Sequence, residues 1–424
     1  MFGWEFPPFK SGGLGTACRD LVKGLVRNGT DVTFVMPNAP AGACAEGATI
    51  IGSSAYLSRL KIRTITSILG PYQTAPGYQG YLKHLQSKER HLQSKESKEA
   101  AGPSQGDVYG KDLFEETLRY SLAAFEIASE ELHDVIHCHD WMTYQAGINA
   151  RSVSGKPLVV HLHATEFDRT GGNPNHVISN LEWQGLNAAD LVIANSNFTK
   201  QNIMRHYLIP EEKIKVVHWG IDQDNPSYNL NFCSGFPKDE KIVLFLGRVT
   251  LQKGPDYFVE VARKVLDFEP STRFVMAGSG DMLQRMINRT ADLGMADRFH
   301  FTGFLQGDDV NRAFHMADLC VMPSVSEPFG LVALESLKNN TPVLVSKQSG
   351  VSEVLHHALK VDFWDINEMT NKIVSVLRHA PLKEELRDCG HREAGGFTID
   401  EPARKTIASY HEALGMIANR ARAG

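Results

Sequence analysis

Residues 241–266 read KIVLFLGRVTLQKGPDYFVEVARKVL, and the fold is decided there. An unbroken apolar run ends at Gly247, a basic loop follows, and Pro255 opens a helix at about 255–267. Proline suits the first helical position because its missing N–H would have no partner there anyway. A fully apolar strand is buried on both faces, which is the habit of parallel sheets covered by helices.

The same alternation runs outward in both directions. Downstream, FVMAGSGD (274–281) reads as a strand and glycine turn, HFTGFL (300–305) and DLCVMPS (318–324) as strands. A helix near 330–338, the strand PVLVS (342–346) and a final helix over about 399–419 complete that half. Upstream, DVIHCHDW (134–141), PLVVHLHA (157–164), ADLVIANS (189–196) and KIKVVHWGID (213–222) read as strands, with a helix at 112–130 before them. At the start, Ala17, Leu21 and Leu25, flanked by Cys18, Val22 and Val26, form an apolar stripe at helical spacing. Asn28-Gly29 ends that helix, and Asp31–Met36 reads as the next strand.

The pattern predicts an α/β chain: two Rossmann-like, doubly wound parallel sheets facing each other across a cleft, where ligands bind at the C-terminal strand ends. The expected divisions are a first domain over 1–224, a linker over 225–240 and a second domain over 241–397. A terminal helix over 398–424 is expected to cross back to the first domain. Within the first domain, 68–115 reads as a mobile polar insertion, since HLQSKE occurs at 84–89 and again at 91–96.

With 424 residues and 42% hydrophobic content, two cores are expected rather than one. A formal charge of −5 argues against a nucleic-acid partner, which would favour a basic face. Cysteines 18, 44, 138, 233, 320 and 389 form no Cys-x-x-Cys pair, which fits a reducing cytosol better than a disulfide framework or zinc ribbon. No apolar run reaches the roughly 18–20 residues of a bilayer span. No basic segment precedes an apolar one at the start, so no secretory signal is read. A cytoplasmic globular protein is expected.

Four groups of residues can carry chemistry. Lys10 with Gly12, Gly13 and Gly15 precedes a helix N-terminus, a setting suited to a phosphate and equally to a tight strand-to-helix turn. Arg248 and Lys253 share the loop after the strand 241–247, where a forked guanidinium and an ammonium can converge on a diphosphate. Glu327 and Glu335, eight apart in SVSEPFGLVALES (324–336), put one carboxylate in a loop and one in the following helix, able to accept hydroxyls of a sugar or ribose. His137 with His139, and His161 with His163, place like-facing imidazoles on two strands. A metal-dependent hydrolase built on these four histidines is the alternative of another class. Structural core histidines are the commoner outcome, and no third strand carries a comparable pair.

Over nearly their whole length these residues resemble the GT-B retaining glycosyltransferases, specifically the family-4 enzymes and their relatives, the glycogen and starch synthases. Lys10-Ser-Gly-Gly-Leu14 resembles the Lys-x-Gly-Gly-Leu element that faces the sugar nucleotide. His139-Asp140-Trp141 is similar to the His-Asp-Trp segment on the acceptor side. His163 falls where the family has an active-site histidine whose carbonyl lies against the anomeric centre. Arg248 and Lys253 match the Arg-x4-Lys pair on the donor diphosphate, and Glu327 with Glu335 matches the Glu-x7-Glu pair on donor sugar and ribose. Ser349-Gly-Val-Ser-Glu353 resembles the Gly-Gly-x-x-Glu turn.

The resemblance thus implies catalytic roles for His163, Arg248, Lys253 and Glu327. It implies donor contacts from Lys10, Gly12, Gly13, Leu14, Gly278, Phe329, Gly330, Leu331 and Glu335. A UDP- or ADP-sugar donor, a carbohydrate acceptor (an α-glucan the best guess, a lipid, other polysaccharide or small molecule the alternative), retention of configuration and no required metal also follow from it. Trp219 stands where the family has Asn, and Phe329 where bacterial glycogen synthases have Cys. Family chains begin with several more apolar residues, which leaves open that Met1 is an internal methionine of a longer reading frame.

Overall fold

A computed structural model describes residues 1–8, 13–40, 42–57, 113–223 and 240–423. Lys10 and Gly12, nearly all of the 68–115 insertion and residues 225–239 of the expected linker lie outside the described residues.

In the N-terminal half, β1 (Thr33–Met36), β2 (Cys44–Ala45) and β3 (Ala48–Gly52) pair in the order β1-β3-β2, with β1 and β3 parallel. A four-stranded sheet has the order β4 (Ile136–His139), β5 (Leu158–Leu162), β6 (Leu191–Ala194), β7 (Ile214–Val216). Met1–Gly3 runs between β1 and β4: Phe2 N donates to His137 O at 2.7 Å and Gly3 N to Val35 O at 2.9 Å. Phe2 thereby bridges Val35 on one side and Cys138 on the other, both in parallel sense. The first helix, Gly13–Arg27, buries Ala17, Cys18, Leu21, Val22 and Leu25, the stripe read from the spacing.

The strand expected over 213–222 pairs only at Ile214–Val216. Beyond it Val217 N still donates to Ala194 O at 2.9 Å, and then His218 turns to Glu353 at 3.2 Å while Ile221 N donates to Phe397 O at 2.9 Å. The β2–β3 hairpin and β13 (Leu359–Val361) have too little apolar pattern to be read from sequence.

The C-terminal half holds a six-stranded sheet. Its strands are β8 (Ile242–Leu246), β9 (Arg273–Ala277), β10 (Phe299–Gly303), β11 (Leu319–Met322), β12 (Val343–Ser346) and β13, in the order β10-β9-β8-β11-β12-β13. Every pairing in it is parallel. Phe245, Phe258, Phe274 and Phe299 pack at the centre of its core, Phe258 lying 5.5 Å from Phe245 and 5.8 Å from Phe274 between ring centroids. Burying one such ring stabilises the fold by about 1.5–3 kcal/mol. The strand order reverses between β8 and β11, and that reversal is where a doubly wound sheet opens a crevice.

Contacts divide the chain into two compact units, and the division is not one cut along the sequence. The first holds Met1–Leu162, His176–Ile193 and Thr406–Gly424; the second holds His163–Asn175 and Ala194–Lys405. No helix among the described residues is long and apolar enough to cross a membrane.

Candidate active site

The two loops that flank the strand-order reversal carry the charged groups singled out by sequence. After β8, Gly247 adopts φ +150°, and the chain passes Arg248 into a 3-10 turn at Leu251–Lys253. Gly254 ends that turn at φ +64°, where a side chain would also meet Pro323 O at 2.2 Å. Only glycine tolerates both the conformation and the approach. The Gln252 carbonyl accepts from Val325 N at 3.0 Å, and the Gln252 side chain accepts from Arg248 Nη2 at 3.2 Å. The loop after β8 is thereby fastened to the loop after β11.

That fastening brings opposite charges together. Lys253 Nζ lies 2.5 Å from Glu327 Oε2, with Glu327 buried and Ser324 Oγ donating to the same oxygen at 3.2 Å. Glu327 is held through its backbone as well: its N–H donates to Gln348 O, and its carbonyl accepts from Gly350 N, both at 2.9 Å. Phe329 is buried, and its carbonyl accepts from Val351 N at 2.7 Å. Gly330, at φ +110°, caps the helix Leu331–Lys338, in which Glu335 is half-buried. On the other flank, Gly278 at φ +148° donates to Gly303 O at 2.8 Å, and a Cβ there would fall 1.8 Å from Gly247 O. Glycine is obligatory where two backbones come this close.

His163 begins directly after β5 and belongs to the second unit. Its ring stacks on Trp219 with centroids 5.4 Å apart and planes 20° apart, and its carbonyl accepts from Asn195 Nδ2 at 3.0 Å. Burial, and to a lesser degree the Arg169 guanidinium, lowers its pKa to about 3. A few residues on, the buried Asp168 closes a capping box with Thr165 and accepts from Ser326 Oγ at 2.5 Å. Sequence reasoning passed over Thr165, Asp168, Asn195 and Thr199, because short polar residues just before and within the first turn of a helix look like ordinary capping residues.

Glu353 caps the helix Asn197–Tyr207, accepting from Asn197 N at 2.9 Å and Phe198 N at 2.5 Å, with His218 Nε2 at 3.2 Å. Burial pushes the Glu353 carboxyl up, but the hydrogen bonds from His218, Asn197 and Phe198 outweigh it and hold the pKa below the usual value.

The first unit contains Gly13, Leu14, His139, Asp140 and Trp141. Gly13 and Leu14 open the first helix, while His139, Asp140 and Trp141 are buried where β4 turns into the helix Trp141–Ser154. Asp140 sits at φ +60°, ψ 168°, donating its N–H to His161 O at 3.0 Å. Such a conformation costs a side-chain-bearing residue about 1–3 kcal/mol and clusters at functional sites. His137, His139 and His161 are buried with ligand-capable atoms all within 4.8 Å of one another. The planes of His137 and His161 are only 7° apart, and the Tyr410 hydroxyl lies 2.6 Å from His137 Nδ1. Three imidazoles on two neighbouring strands could hold a metal, or stack as a polar layer in the core.

Known proteins share both the sequence pattern and this architecture. Residues 11–225 match the family model "Glycosyltransferase Family 4", and residues 229–392 match "Glycosyl transferases group 1". An uncharacterised glycosyltransferase of Methanocaldococcus jannaschii is 31% identical, over 84% of this chain and 82% of its own. The D-inositol 3-phosphate glycosyltransferase of Mycolicibacterium smegmatis is 30% identical, over 66% of this chain and 68% of its own. Among solved structures, sucrose-phosphate synthase from Thermosynechococcus elongatus superposes with a TM-score of 0.72 at 20% identity, over 96% of this chain and 94% of that one. Anabaena HepE in complex with UDP and glucose gives 0.64 at 18% identity, over 95% and 97%. These two structures bear on the fold alone, which is GT-B.

Proposed function

The chain belongs to the family-4 glycosyltransferases, and from that premise we propose that it moves a hexose, glucose for preference, from a UDP- or ADP-sugar to a hydroxyl of a carbohydrate acceptor with retention of configuration. The observation that carries this reading is the Lys253–Glu327 pair beside Arg248, at the point where the strand order of the second sheet reverses.

Sugar transfer passes through an oxocarbenium-like state, with positive charge growing at the anomeric carbon and negative charge on the departing phosphate. On this reading Arg248 grips the diphosphate by forked hydrogen bonds. Lys253 gives up part of its hold on Glu327 to do the same, and Glu327 turns its lone pairs to the sugar hydroxyls. Glu335 takes the ribose, while Gly278, Gly330 and Leu331 let backbone come close to the nucleotide and Phe329 walls the sugar. Lys10, Gly12, Gly13 and Leu14 are assigned to the donor side and His139, Asp140 and Trp141 to the acceptor side. The His163 carbonyl faces the anomeric carbon, and the leaving phosphate takes the acceptor proton, so attack comes from the face the phosphate leaves. Fixed charges aimed at developing charge commonly supply most of the rate enhancement in sites of this kind.

An α-glucan is the first acceptor to try. Likeness to a D-inositol 3-phosphate glycosyltransferase favours a second reading, a small phosphorylated polyol or other non-glucan acceptor. The test is a panel of nucleotide sugars against maltooligosaccharides, glycogen and inositol phosphates, scored by nucleoside diphosphate release and by the anomer formed. Arg248→Ala and Lys253→Ala should each lower turnover by about a hundredfold or more while leaving thermal unfolding in place. Wild-type turnover in either variant would remove the diphosphate assignment.

A further inference from the structure

We propose that Asn195, Thr199 and Trp219 are positioning residues, a clamp that fixes both the carbonyl and the ring of His163 and ties the carbonyl to the loop carrying Glu327. The proposal rests on the glycosyl-transfer reading, in which His163 and Glu327 both face the sugar being moved.

The carbonyl side is a chain of buried hydrogen bonds. Asn195 Nδ2 donates to His163 O at 3.0 Å, and Asn195 Oδ1 accepts from Thr199 Oγ1 at 2.7 Å. Thr199 N donates to Ser196 Oγ at 3.0 Å, and Ser196 Oγ donates to Pro328 O at 2.5 Å. Asn195 is 3% exposed, and Ser196 and Thr199 are fully buried. A hydroxyl has one proton to give. The shortest contacts spend the Ser196 proton on Pro328 and the Thr199 proton on Asn195, although Thr199 Oγ1 also lies 3.2 Å from Pro328 O and 3.0 Å from Ser196 Oγ. With its oxygen so occupied, Asn195 can present only its amino group to His163. Pro328 adjoins Glu327, so the chain spans the two groups by uninterrupted contacts.

Space for it is cleared at Gly350, where a Cβ would fall 2.2 Å from Pro328 O and 2.6 Å from Ser196 Oγ. A second strut runs parallel to it, from Asp168 to Ser326 at 2.5 Å, with Asp168 held in turn by Thr165 N at 2.8 Å and Asn202 Nδ2 at 2.9 Å. The ring side is Trp219. Its indole is 3% exposed, and the backbone after it is pinned: Ile221 N donates to Phe397 O at 2.9 Å, and a Cβ on Gly220 would fall 2.0 Å from Thr398 O. An indole so placed limits the rotation of the imidazole stacked on it. Catalytic groups supported on two sides in this way keep their geometry without reorganising during the reaction.

The plain alternative is an ordinary helix cap, since Ser196 is the N-cap of Asn197–Tyr207. Thr199→Val separates the two. It leaves the Ser196 hydroxyl and the residue-199 N–H, hence the cap, and deletes the hydroxyl that donates to Asn195, together with its longer contacts to Pro328 O and Ser196 Oγ. We expect Thr199→Val to lower kcat about tenfold with donor KM held within about twofold, the loss of one bond in a buried network. Thr199→Ser should restore kcat. Trp219→Leu should show the same split, and Trp219→Phe, which can still stack, should recover most of it.

A second measurement is independent of turnover. The ¹³C carbonyl resonance of His163 in histidine-labelled protein, assigned by its loss in His163→Asn, should move in Thr199→Val. Wild-type kcat in Thr199→Val, a kcat loss that Thr199→Ser does not recover, or an unmoved carbonyl resonance would overturn the clamp. If the wild-type protein transfers no sugar from any donor, the transfer reading falls instead, and the carbonyl resonance decides whether the clamp stands.

Discussion

At His163, burial first and the Arg169 guanidinium second bring the imidazole pKa to about 3, from 6.5 for a free side chain. Between those values the unfolded chain binds a proton that the folded chain does not, so stability falls as pH falls through this window and is level above it. Urea unfolding at a series of pH values should show that slope for wild type and a shallower one for His163→Phe; equal slopes would mean the imidazole is not held neutral. Asp140 carries a different kind of stress, since its φ of +60° disfavours any residue with a Cβ. Asp140→Gly should keep or raise the melting temperature while lowering transfer, a stability gain on the order of 1 kcal/mol that a structural role alone would not oppose to activity. Much of the candidate site is legible at this scale. Arg248, Lys253, Glu327 and Glu335 keep spacings that read as motifs, and each sits in the loop or helix that follows an apolar strand. The links among them are not legible. Nothing in the primary order says that Lys253 meets Glu327, or that Asn195, 32 residues beyond His163, holds its carbonyl.

Elements fare better than contacts, for a physical reason. A parallel strand buried on both faces must be nearly all apolar, so β6, β8 and β11, and β5 and β12 despite His161 and Ser346, announce themselves. Strands without that constraint stay hidden: β2 and β3 form a short hairpin with exposed positions, and β13 is a three-residue edge strand. Strand order is a further step, because the reversal between β8 and β11 emerges only from pairing. That reversal makes the glycine turns at the strand ends testable. Gly278 lies so close to Gly247 O, at 1.8 Å from an ideal Cβ, that Gly278→Ala must part the loops following β8 and β9. We expect destabilisation of more than about 1 kcal/mol, as for alanine placed at positive φ. Donor affinity should weaken with it, measured by calorimetry with UDP. Gly29→Ala is the control: its φ is also positive, at +81°, but nothing lies within 4 Å. It should lose stability alone, and equal loss of UDP affinity in both variants would separate the site from the β8–β9 turn.

On the scale of the whole chain, the proposed donor groups Arg248, Lys253, Gly278, Glu327 and Glu335 all fall within the second compact unit, although they lie up to 87 residues apart in sequence. Their loops come off three strands, β8, β9 and β11, that neighbour one another in the sheet. A nucleotide that binds the folded chain alone stabilises it by about 2.7 kcal/mol at a hundred times its dissociation constant. Stabilisation by itself does not locate a ligand, but hydrogen exchange across all the peptides does. Saturating UDP should slow exchange in 247–254, 278–282 and 327–335 together, because one diphosphate and one ribose would hold all three loops at once. The hairpin at 44–52 in the first unit should exchange as before. Protection of one loop without the others would mean that the charged groups act separately and that no single nucleotide joins them. Joint protection in wild type that is lost from all three loops in Lys253→Ala would make Lys253 the tie between the diphosphate and the carboxylate of Glu327, the arrangement that the proposed transfer requires.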